Sequence, residues 1–438
     1  MESDQQTGPS GTPAPHCGHG RPGGSASRRT VRAVLTAIVL LAVATVAALA
    51  LMWPDGSGTE GRTSAQQTRV SGTVLRIELK PCPKQALPEG APQDRGRGAG
   101  ASPIDPRRCG DAVVELTAGP MDGRAVRTEL PSGPGNRVFS VGDDVVLTGL
   151  PDGGGGPAVY QLADHDRSSA LWMVAAAFVL AVVAFGRWRG LAALVGLAVT
   201  FALLLLFLIP AIVDGRPPLL AAIVCAAAIM LAVLYLTHGF SVATSVAVMG
   251  TLGSLTLTGV LAVVAIDLTR LTGIIDDSSL FLDIDYGINT QGLLLASIII
   301  GSLGVLDDVT VTQSVTVQEL ARANPGYSFL QLYRAAARVG RAHIASVINT
   351  IVLAYAGASL PLLLLFSLGG RTAGDVIANP AVAQEIVRSV AGTIGLIAAV
   401  PLTTALAAVA AARREPEDVP AEADPRPSPH VDDVVQGA

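Results

Sequence analysis

"GLLLASIIIGSLGVLDDVTVTQ", residues 292–313, runs from an apolar helix straight into two carboxylates. The apolar part, Gly292–Leu306, has fifteen residues. As a helix it is about 22 Å long, short of the ~30 Å hydrocarbon core of a bilayer. To cross, the helix must draw on residues at both ends, so Asp307 and Asp308 fall at a leaflet edge. At 100° per residue, Ser297, Gly301, Gly304, Asp308 and Thr312 lie within roughly 60° of one another, and Asp307 points about 100° away. Small residues allow close helix approach. This spacing predicts that Asp308 faces the bundle or a wet cavity, while Asp307 solvates near the interface. A carboxylate inside a membrane is costly and is a functional candidate. Two plainer readings stay open, a helix-packing lock and a solvated helix end.

The rest of the chain fits that setting. Half of its 438 residues are hydrophobic and only 15% are charged, against about 25% in soluble domains; the mean hydropathy is +0.50. The balance is that of a polytopic membrane protein. The net charge of −5 carries no nucleic-acid signal. An uncleaved anchor is expected at 33–53, and seven further spans near 171–186, 190–212, 219–236, 241–266, 290–310, 344–367 and 386–411. The expected fold is thus a mainly α membrane bundle of about eight transmembrane helices, within which 171–411 is a seven-helix domain. Residues 1–32 and 412–438 lack apolar periodicity and are expected as disordered cytoplasmic tails.

Between the first two spans, residues 56–168 hold no run able to cross a membrane. "RVSGTVLRIEL", "DAVVELTAG", "GRAVRTEL", "DDVVLTG" and "AVYQLADH" read as five short strands between turn residues. They predict a small extracytoplasmic β-barrel-like insert, with an OB-like barrel as one form of it. Cys82 and Cys109 flank its long loop and are candidates for a disulfide in an oxidising exterior. Cysteine and histidine spacing offers no metal site.

Basic residues set the orientation. With the insert outside, the inner connections carry Arg187, Arg189, Arg322, Arg334, Arg338, Arg341, Arg413 and Arg414, and the outer ones Arg216, Arg270 and Arg371. Eight against three satisfies the positive-inside rule. Both termini are then cytoplasmic. Within the inner segment 315–343, Phe329, Leu332 and Tyr333 alternate with arginines at helical spacing, which predicts an amphipathic helix on the membrane surface.

A partner for Asp308 is expected on the next span, "HIASVINTIVLAYAGASLP". Asn349, Thr350 and Gly357 share a face with Ser346 and Leu353. Asn349 lies about 9 Å in from His343, a depth that matches Asp308. Pro361 is expected to kink this helix.

Three segments, "GLLLASIIIGSLGVLDDVTVTQ", "INTIVLAYAGASLPLLLLF" and "EIVRSVAGTIGLIAAVPLTT", resemble the YibE/F family of bacterial membrane proteins. The likeness covers roughly 171–411 and, more loosely, the β-rich insert. The family pattern has a single Asp before Val, which is Asp308 here; the position of Asp307 is usually apolar or methionine. The Asn-Thr pair maps to Asn349 and Thr350. The resemblance implies a multi-span, permease-like protein of the bacterial cell membrane and names no substrate.

The leading expectation is a secondary transporter, with Asp308, Asn349, Thr350 and Thr312 as an ion- or proton-coupling group and Ser297, Gly301, Gly304 and Gly357 as a packing stripe. The chain has no phosphate-binding G-x-x-x-x-G-K-[ST] motif, no H-E-x-x-H and no G-x-S-x-G. A non-enzyme without cofactor is expected. Its partners would be the bilayer and an unknown solute or ion, with a second copy or an envelope component left open. The alternative is a non-transporting assembly or sensor protein that recognises the envelope through its β insert.

Overall fold

A computed structural model describes residues 28–54, 68–80, 109–119, 121–131, 137–150, 159–368, 370 and 372–412. Both expected tails lie outside the described residues except at their inner ends. Helix α1, Arg28–Met52, claims residues 28–32, which the sequence reading gave to the tail. The chain divides into two compact units, residues 56–194 and residues 1–55 with 195–438.

The first unit holds a curled, antiparallel five-stranded sheet: β1 Thr68–Lys80, β2 Cys109–Leu116, β3 Ala125–Glu129, β4 Asp144–Leu150 and β5 Val159–His165, in the order β3-β2-β1-β4-β5. All five expected strands are present. Period-two alternation sends Val70, Val74, Val114, Leu116, Val145, Leu147 and Leu162 into one apolar core with Phe139 and Tyr160. The sheet curls because β1 is long and broken in register between Val74 and Arg76, a bulge that increases twist. The edge strands come together: the Leu162 N–H donates to Thr128 Oγ1 at 3.2 Å. On the opposite face, Lys80 pairs with Asp111 at 2.5 Å, Arg127 reaches Asp111 at 3.1 Å, and Arg127 also pairs with Glu78. The Lys80 ammonium holds the Asp111 carboxyl below its ordinary value, with Arg127 adding to it. Cys109 is disulfide-bonded; its expected partner, Cys82, lies outside the described residues.

The helices that follow are α2 Ser168–Leu203, a π-turn Leu204–Leu208, α3 Ile209–Val213, α4 Pro218–His238, α5 Val242–Thr269, α6 Asp277–Ile284, α7 Thr290–Ala323, α8 Phe329–Ala358, α9 Leu360–Leu368, α10 Ala373–Ile377 and α11 Pro380–Ala412. Among the described residues seven helices are long and apolar enough to cross a membrane. One of them runs 46 residues, Ser168–Val213, over twice the length a bilayer needs. It is not straight. Arg187 leaves the helical region (φ 51°, ψ −129°), and the chain doubles back there, so that a Cβ on Gly190 would collide with the Val182 carbonyl. In a straight helix those residues would stand about 12 Å apart. The two segments expected at 171–186 and 190–212 are therefore separate helices joined by a tight turn. The π-turn precedes Pro210, whose missing N–H cannot continue the regular ladder.

The second unit is a bundle around α4, α5, α7 and α11. Alanines 221, 222 and 226 with Cys225 bury one side of α4, and their size permits close approach. Helices α5 and α11 cross through reciprocal notches. Gly250 and Gly253 of α5 receive Thr403 and Leu402, and Gly395 of α11 receives Thr258. A side chain at Gly250 or Gly395 would overlap its partner.

One expectation is corrected here, and the kink expected at Pro361 is found. The segment 329–343 is not a separate surface helix. It is the first half of α8, and Leu332 and Ala336 bury against Val317, Ala321, Ala407 and Ala408. Its apolar side finds protein because α7 continues past its expected end at residue 310 to Ala323 and packs there with the last turns of α11. The span expected at 344–367 is broken at Ser359, just before Pro361, into α8 and α9. The acidic loop 267–289 contains α6, whose N-cap is Asp276; its carboxylate accepts from the Ser279 N–H at 2.8 Å.

Candidate functional site

Helix α7 carries the opening stretch, and its two faces differ. Asn289 caps its start by accepting from the Gly292 N–H at 2.9 Å. Leu295, Ile299, Ser302, Leu306, Thr310, Gln313 and Val317 are buried, an i, i+3/i+4 series. Gly301, Gly304, Asp308 and Thr312 are exposed and Ser297 half-buried. The periodicity thus grouped the small polar residues on one face. That face turns away from α4, α5 and α11. The burial of the two carboxylates is the reverse of expectation: Asp307 is half-buried and Asp308 exposed. The cause lies in the neighbours, which bring their own polar groups to the other face. In a membrane helix, polarity alone does not mark the bundle side.

Those buried polar groups form a seam that sequence reasoning missed. Thr251 of α5 and Thr310 of α7 share a 2.5 Å hydrogen bond. Gln313, 3% exposed, donates to the Ala336 carbonyl at 2.9 Å and to Thr404 Oγ1 at 2.7 Å, tying α7 to α8 and α11. Ser314 donates to the Ala243 carbonyl at 2.8 Å. Gly340 gives Gln313 its room. The available signal was alignment: Thr310 and Gln313 continue the row of large apolar residues, whereas Asp308 continues the row of small ones.

The expected partner residues lie on α8. The Tyr355 hydroxyl stands 3.6 Å from the position a Cβ on Gly301 would take, so α8 passes beside α7 there. Asn349, Thr350 and Gly357 are exposed, and Thr350 donates to the Ser346 carbonyl at 3.2 Å. Among the described residues no hydrogen bond joins Asp308 to Asn349, so the lock expected between them is not made. The α8 segment beyond Ile344 has no fully buried residue up to its end, though Val347, Ile348 and Ile351 pack against the core.

Between α7, α8 and α11 lies a cleft of about 220 Å³, lined by Gly301, Ser302, Tyr355, Gly392 and apolar neighbours. Gly301 and Gly392 leave it open. One turn along α11 from Gly392, Arg388 and Glu385 form an ion pair at 2.9 Å, both half-buried. They are close enough for both charges to act on Tyr355. Spacing alone singles out neither, because they sit at the expected start of a span, where charges ordinarily solvate.

A bundle of long apolar helices with paired charges and carboxylates on its helices defines a polytopic integral membrane protein. Residues 174–413 match the family model of the YibE/F-like proteins, and the chain belongs to that family. The match covers the helical bundle, α7 and its carboxylates included. The chain matches no curated protein and no solved structure.

Proposed function

We propose that this YibE/F-like protein is a secondary transporter or permease of the bacterial cell membrane, with Asp308 as its proton- or ion-coupling group and Asn349, Thr350 and Thr312 around it. The observation that carries this reading is the position of Asp308. It stands on the small-residue face of α7, two turns from Gly301 in the wall of the cleft. A carboxylate facing lipid costs roughly 2.5–3.5 kcal/mol at the centre of a spanning helix and less towards its end. A wet pathway or a protein surface relieves that cost, and a wet pathway is what coupling requires. The exposed α7 face that carries Asp308, beside the loosely buried second half of α8, offers one. With no nucleotide-binding motif in the sequence, the driving force is an ion gradient. Eight crossings, counting both arms of the Arg187 turn, would leave both termini on one side, and the arginine asymmetry favours the cytoplasm for them and the outside for the β unit.

Purified protein in liposomes loaded with a pH-sensitive dye tests the reading. Proton flux under an imposed pH gradient, lost in Asp308→Asn, supports it; flux indistinguishable from empty liposomes under every gradient and solute tried rejects it.

The second reading, a sensor or assembly protein, is favoured by the β unit. The order β3-β2-β1-β4-β5 with the outer strands meeting is that of an OB-like barrel, a form that binds oligosaccharides and oligonucleotides elsewhere. Deleting the β unit separates the two: a transporter keeps flux, a sensor loses its cellular phenotype.

A further inference from the structure

We infer that the α11 end of the α7–α8–α11 cleft is a binding site for a small organic carboxylate, held by Arg388 and Gln384. The inference rests on the transporter reading for its purpose, but not for its chemistry.

Among the described residues four buried side-chain atoms of α11 lack a partner, Nε of Arg388, Nε2 of Gln384 and the hydroxyls of Thr393 and Thr403; the first two are N–H donors. The Gln384 side chain belongs to a residue only 3% exposed. The two residues are four apart, hence neighbours on one helix face. A buried donor without an acceptor is costly, and two together are rarely left by chance in a packed interior. Glu385 does not satisfy the arginine, because it takes Nη1 alone. That leaves the Nε side of the guanidinium, the edge that forks onto a carboxylate in parallel hydrogen bonds. An acceptor-rich anion meets both orphan donors at once, and the Gln384 amide adds a third N–H.

The cleft, whose lining on α11 starts at Gly392, one turn beyond Arg388 and two beyond Gln384, supplies the other half of the specificity. Gly392, one turn from Arg388, opens its wall, and Val305, Leu306, Ile351, Ala354 and Leu396 make the remainder apolar. Inorganic phosphate or sulfate would gain nothing from such walls. An organic acid places its carboxylate on Arg388 and Gln384 and its carbon body among these side chains, with the Tyr355 hydroxyl for a second polar group. At about 220 Å³ the space is below the roughly 300 Å³ of drug-sized sites, so the solute is small. When it is absent, Glu385 balances the arginine's charge.

Full-length protein in nanodiscs is titrated with butyrate, succinate, inorganic phosphate and butylamine, binding being followed by calorimetry. Saturable binding of butyrate or succinate, weak or no binding of phosphate, and none of butylamine is expected. Arg388→Gln should weaken carboxylate binding about tenfold or more, and Arg388→Lys, which keeps the charge but not the fork, by less. Gln384→Glu keeps the side chain's size and puts a competing carboxylate beside the guanidinium, so it should abolish binding. Gel filtration and thermal unfolding confirm that each variant is folded. Wild-type protein that binds neither carboxylate, phosphate bound as well as they are, or carboxylate binding indifferent to both Arg388→Gln and Gln384→Glu overturns the inference. The liposome flux assay separates it from the broader reading. Asp308-dependent flux without carboxylate binding sinks this site alone; carboxylate binding without such flux leaves the site and sinks the coupling role.

Discussion

At the scale of single residues, adjacent carboxylates on one helix are told apart by direction. Asp307 is half-buried and Asp308 exposed, so a coupling role for Asp308 means that its face meets water. Asp308→Asn keeps shape and removes charge and protonation. It should abolish flux, while Asp307→Asn should leave most of it, both read in the liposome assay with reconstituted amounts matched. The opposite pattern moves the role to Asp307. Gln313 gives a structural contrast. Gln313→Leu removes two hydrogen bonds between helices and leaves Thr404 and the Ala336 carbonyl without them. A cost of about 1–2 kcal/mol is expected, seen as a lower unfolding midpoint in detergent. The row of Ser297, Gly301, Gly304, Asp308 and Thr312 was legible in the sequence because helical geometry alone generates it. Which way the row faces was not, since that depends on Thr251, Thr404 and Ala336 from three other helices. Arg388 and Glu385 were passed over for a related reason: nothing in a single sequence says how far α11 continues before the membrane begins.

At the scale of elements, apolar length located the helices well and their ends poorly. Strands could be read because alternation and turn residues bracket each one locally. The surface-helix reading of 329–343 failed because an apolar stripe looks the same whether lipid or protein covers it. The glycines make the packing testable. Gly395→Ala puts a methyl group into Thr258, and Gly250→Ala puts one into Thr403. Both should destabilise the bundle by about 1–3 kcal/mol, as overpacked cores do. Gly304 and Gly357 have open space around the same position, so Gly304→Ala and Gly357→Ala should leave the unfolding midpoint unchanged. Equal effects at all four sites would mean that a second copy or another segment covers the α7–α8 face.

At the scale of the whole molecule, each unit has its own sensitivity, and orientation joins them. In the β unit, hydrogen bonding and charge from Lys80 hold the Asp111 carboxyl below its ordinary value of 3.8. A depressed folded-state value contributes stability above the unfolded value and loses it as pH falls through the folded one. Asp111→Asn should therefore lower the thermal midpoint of the β-sheet infrared band at about pH 7, and the difference from the unmodified protein should shrink as pH falls below 3.8 and vanish once the folded carboxyl is itself protonated. A difference that persists in acid would show that shape, not charge, is what Asp111 supplies. Orientation follows from the arginines. Those at 322, 334, 338 and 341 cluster where α7 meets α8, and the cytoplasmic side of a membrane gathers such residues. Ser328, the exposed N-cap of α8, sits at that turn. A Ser328→Cys protein, with Cys17 and Cys225 replaced, should resist a membrane-impermeant maleimide added to intact cells and react once the cells are opened. A cysteine at Ser140, in the β unit, should react from outside without opening. Labelling of Ser328→Cys in intact cells would invert the molecule. The Arg187 turn would then face outward, and Asp308 would lie at the outer end of its helix, where a proton entering from outside reaches it first.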